Sequence, residues 1–98
     1  MSNRGHVASM LVKMTWMRNH KAFTTTDLDI NQIDWKTIDQ VEWNRTEKVL
    51  IEVLRFLNCG ESSMRLSELN LLTPDERKCV ALVLNMLYND MGLEENLV

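Results

Sequence analysis

Residues 73–76 read Thr-Pro-Asp-Glu, and this short stretch constrains the chain more than any other. Thr73 can accept a backbone N–H as a helix cap. Pro74 suits the first helical position, where an N–H would have no partner, and Glu76 stands three residues after the cap, able to reach back to it. Asp75 and Glu76 also favour the positive end of the helix dipole. The spacing predicts a helix from Pro74 to about Met91, with Gly92 as its stop. Val80, Val83, Leu84, Leu87 and Met91 form the apolar stripe of that helix. Ala81 and Tyr88 widen the stripe on one side, and Cys79, Leu82 and Met86 widen it on the other. Only Lys78, Asn85 and Asn89 mark a polar strip. A helix apolar over most of its circumference is either central to its domain or covered by another chain.

The remaining elements are also read as helical. Asn44-Arg45-Thr46-Glu47 offers a second cap, for a helix from about Trp43 to Asn58. Trp43, Val49, Leu50, Val53, Leu54, Phe56 and Leu57 fall in one arc of about 160°, opposite Glu47, Lys48, Glu52 and Arg55. Gly60 suits the left-handed position that ends such a helix. Asp34 caps a short turn over 34–39, and Met64 to Leu72 holds one or two turns more. Ala22 to Ile33 reads as loop, because its Thr and Asp side chains compete for backbone hydrogen bonds. The N-terminal stretch is ambiguous. Val7, Met10, Leu11, Met14 and Met17 fit one helix face, while Ala8, Met10, Val12, Met14 and Trp16 fit one strand face. Met, Leu and Ala favour helix, and no partner strand is evident. The expected fold is all-α, a single domain over 1–98 of about four helices, with 1–6 and 93–98 as flexible ends.

Charge is divided unevenly along the 98 residues. Residues 1–22 carry four of the 11 basic side chains (Arg4, Lys13, Arg18 and Lys21) and no acid. The remainder carries seven basic against all 14 acidic residues, a split of +4 against −7. Such asymmetry speaks of a binding surface rather than of a fold, and Lys13, Arg18 and Lys21 are the candidate basic patch. Two cysteines are too few for the disulfide framework of a small secreted domain, no secretory signal is visible, and no apolar run reaches the roughly eighteen residues a membrane span needs. The expected location is the cytoplasm.

No motif for chemistry stands out. The three glycines are isolated, so there is no phosphate loop, and neither H-E-x-x-H nor C-x-x-C occurs. His6, His20, Cys59 and Cys79 are spaced unlike any local zinc pair. Asp27, Asp29 and Asp34 lack the glycine and terminal Glu of a calcium loop. Asp39, Glu42, Glu47 and Glu52 are too sparse to imitate a nucleic acid. No catalysis, metal or cofactor is expected. The best-supported expectation is a small interaction or regulatory module acting through apolar helix faces. It is of the type that accessory proteins of mobile elements represent, although no motif stands behind that comparison. Cys79, Leu82, Met86 and Tyr88 are its interface candidates. Self-association as a homodimer is expected at Leu82 and Met86, unless Met10, Met14 and Met17 cover them within one chain. The alternative is a small DNA-binding regulator, using a helix-turn-helix-like stretch over 64–87 or the basic N-terminus. Asp75 and Glu76 at the start of the would-be recognition helix disfavour nucleic acid as a partner.

Overall fold

The two caps hold their helices as the sequence demands. A computed structural model of the chain describes residues 4–27 and 32–90, with the side chain of Asp90 outside the description. Thr73 Oγ1 accepts from the Glu76 N–H at 3.1 Å, while Glu76 Oε1 accepts from the Thr73 N–H at 2.8 Å. The helix that follows, α4, is described over Pro74–Asp90, so the expected end at Met91 and Gly92 lies outside the described residues. Asn44 and Glu47 make the same reciprocal pair at the start of α3, Arg45–Cys59. Gly60 ends α3 at φ 82°, a left-handed conformation. A Cβ there would meet the Arg4 guanidinium at no less than 3.6 Å, an ordinary contact, so the need for glycine is conformational rather than steric.

The N-terminal stretch is helix: α1 spans Arg4–Met14. Its first turn includes Arg4, Gly5 and His6, which were expected in a flexible end. The Arg4 guanidinium anchors that turn by donating to the carbonyl oxygens of Phe56 at 2.7 Å and Leu57 at 3.4 Å, near the end of α3. Val7, Ala8, Ser9, Leu11 and Val12 are all buried. At 100° per residue they cover an arc of about 200°, wider than the expected stripe and shifted from it. Met10 and Met14, expected on the buried face, are only half-buried. The reason is position: α1 packs against both α3 and α4, which touch each other less. The helix buried over the wider arc is therefore α1, which exposes His6 and Lys13, whereas α4 keeps Ala81, Leu82 and Tyr88 exposed.

The connections are short helical turns. After α1, Thr15 Oγ1 donates to the Leu11 carbonyl, and the chain makes two 3-10 turns, Trp16–Asn19 and Lys21–Phe23. The second takes the start of the expected loop, with Ala22 and Phe23 buried. Asp27 and Gln32 form an isolated antiparallel bridge. The four-residue α2, Trp35–Ile38, is capped by Asp34, whose Oδ1 accepts from the Thr37 N–H. Leu66–Leu71 is a further 3-10 turn before α4. No strand occurs among the described residues, and the fold is all-α. Among them, no helix is long and apolar enough to cross a membrane.

The three tryptophans tie these turns to the helices. Trp16 Nε1 donates to Glu76 Oε2 at 2.9 Å, Trp35 Nε1 to Asn58 Oδ1 at 3.0 Å, and Trp43 Nε1 to the Ile38 carbonyl at 2.9 Å. Each ring buries apolar area while its one donor is satisfied, as a half-buried indole requires. Trp16, His20 and Trp43 also meet ring to ring, with His20 4.7 Å from Trp43 and 5.8 Å from Trp16.

Candidate interaction groove

An open apolar groove of about 460 Å³ lies between α3, the 60–71 segment and α4. Val53 and Phe56 of α3 form one wall, three residues apart on one face. Val80, Leu84 and Tyr88 of α4 form the opposite wall at four-residue spacing. The left-handed Gly60 turns the chain out of α3, and Glu61, Ser62 and Met64 run along the edge. In a 3-10 turn, side chains three apart eclipse one another. Leu66 and Leu69 therefore stand in line. Leu69 packs against the core, and Leu66, 79 % exposed, projects at the rim.

A second hollow, of about 600 Å³ and lined by residues of 39–55, is of another kind because it is lined by charged side chains and its Arg55 is already paired. Arg55 bonds to both Asp39 and Glu52, and its guanidinium stacks over the Trp35 ring at 4.3 Å. Burial pulls the Arg55 pKa down, but the two carboxylates outweigh it and the net shift is upward. Burial likewise pushes Glu52 up, yet hydrogen bonds from Ser63 and Arg55 bring it below the usual carboxylate range. Hydrogen bonds from Thr25 and then Thr37 lower Asp34 in the same way. These carboxylates hold turns together: Glu52 fastens Ser63, and Asp34 joins Thr25 to α2.

The four interface candidates separate onto two flanks of α4. Tyr88, 42 % exposed, lines the groove. Cys79 and Met86 are half-buried against the core, and the Cys79 thiol lies 3.7 Å from the Met14 carbonyl oxygen. The end of α1 thus covers part of the flank that the sequence left open, leaving Leu82 there 49 % exposed. Lys13, Arg18 and Lys21 are exposed. The Trp16–Glu76 bond brings their segment beside the first turn of α4.

The other candidates stay apart. His6 and Cys59 are exposed, His20 is held between Trp16 and Trp43, and Cys79 lies against α1. Among the described residues no three His, Cys, Asp or Glu side chains converge as metal ligands. Asp29 lies outside the described residues. The 64–87 stretch begins with a 3-10 turn where a helix-turn-helix has its first α-helix. Sequence reasoning passed over Leu66, Met64 and Glu61. The available signal was the three-residue spacing of Leu66, Leu69 and Leu72. No family model matches the chain, and no curated protein or solved structure is significantly similar to it.

Proposed function

We propose that the chain is a small non-catalytic interaction or regulatory module, working in the cytoplasm, whose binding surface is the α3–α4 groove. The observation that carries this reading is Leu66, 79 % exposed at the mouth of a groove of about 460 Å³. A leucine standing in water beside an open apolar cleft is the kind of surface that marks an interaction site. The groove walls are mostly apolar side chains, with Glu61 and Ser62 along the edge, which suits recognition of another protein's apolar side chains. Both cysteines are free thiols, in keeping with a reducing compartment.

The test is a photo-crosslinking amino acid placed at Leu66, with a second variant carrying it at Lys36, an exposed α2 residue outside the groove. In the expressing cell the Leu66 probe should give a protein adduct of discrete mass and the Lys36 probe should not. No adduct at 66, or the same adducts from both positions, overturns the reading.

A further inference from the structure

Resting on that reading, we propose that the partner is a second copy of this chain, docked on the same groove about a two-fold axis. A two-fold interface needs one surface that is complementary to itself. The groove face meets that condition because it carries both a knob and a hole. Leu66 projects at the rim, 79 % exposed, and the hole beside it is walled by Phe56, Leu84 and Tyr88.

The charges on the rim point to the same occupant. Arg65 precedes the knob, and Glu61 lines the hole. Both are exposed, and neither is in an ion pair among the described residues. When Leu66 of one copy enters the hole of the other, its Arg65 comes alongside that copy's Glu61. The two-fold axis repeats the pair on the other side. A foreign amphipathic helix would find the apolar walls equally open, but it would fill the hole and leave the Leu66 knob uncovered, whereas a second copy covers both at once. The other exposed leucine among the described residues, Leu82, lacks such a counterpart, since Cys79 and Met86 around it are half-buried.

The interface is tested by sedimentation equilibrium on the full chain, with far-UV circular dichroism to verify folding. Leu66, Arg65 and Glu61 are exposed, so changes there leave the core intact. The wild type should be a dimer at high micromolar concentration. Leu66→Glu should weaken the dimer on the order of a hundredfold, because each interface holds two copies of the knob. Glu61→Arg and Arg65→Glu should each weaken it roughly tenfold, and the double variant should recover most of the loss. A wild-type monomer, a dimer indifferent to Leu66→Glu, or a double variant no tighter than the single ones overturns the proposal. A monomer that still crosslinks a different protein through residue 66 defeats the second copy and leaves the module standing. A chain that neither dimerises nor crosslinks defeats both.

Discussion

Single side chains at the ends of elements decide much of this fold. Thr73 is the clearest case, since it satisfies the Glu76 N–H and Glu76 in turn satisfies its own. Glu76 does more, because its second oxygen receives the Trp16 indole N–H. One carboxylate thus closes the cap of α4 and fixes the turn that follows α1. Thr73→Ala removes only the hydroxyl half of the cap and should cost about 1 kcal/mol. In a domain of this size that lowers the melting midpoint by about 4–8 °C, readable by circular dichroism. A midpoint unchanged within about a degree would show that the cap contributes nothing to the stability of α4.

Among the elements, α1 is the one on which the others depend. Leu11 is 0 % exposed, and α1 separates much of α3 from α4. Leu11→Ala leaves a cavity that neither neighbour can close alone and should cost about 2–5 kcal/mol. Leu84→Ala, on the half-buried groove wall, should cost clearly less. Urea unfolding of the two variants compares them directly, and equal losses would remove α1 from the centre of the domain. Helix starts were the most legible part of the sequence, because capping is local chemistry among four residues, as at Asn44 and Thr73. The buried face of α1 was not legible, for a physical reason. Only His6 and Lys13 mark the exposed side of α1, and Ser9 lies on the buried one, so polar residues set the phase of this helix only loosely and Ala8 and Val12 carry as much of the core as Val7 and Leu11. Apolar richness in α4 misled in the opposite direction. Its three buried positions, Val80, Val83 and Leu87, form an ordinary stripe, and the surplus on its two flanks became a contact with Met14 on one side and a groove wall on the other. Which flank met which neighbour depended on the path of residues 60–71, and no local pattern fixes that path.

For the molecule as a whole, the uneven charge along the chain does not become two separate faces. The basic segment carrying Lys13 and Arg18 is held beside the first turn of α4 by the Trp16–Glu76 bond and by the Cys79–Met14 contact. That turn exposes Arg77 and Lys78, but it also holds Asp75 and Glu76. A phosphate backbone approaching Arg18 therefore meets carboxylates within the same patch, and the net charge of −3 opposes it at longer range. The number of phosphates such a surface can neutralise is small, so its affinity for DNA must be low and steeply weakened by salt. Fluorescence anisotropy with labelled duplexes of unrelated sequence should show weak, sequence-indifferent binding at low ionic strength that disappears by about 150 mM salt. Specificity would need amide or guanidinium groups at the start of α4 directed at base edges, where Asp75 and a Glu76 already committed to Thr73 and Trp16 stand ahead of Arg77 and Lys78. A sequence-specific footprint that survives about 150 mM salt would overturn the interaction-module reading, because it would require this mixed surface to act as a basic one.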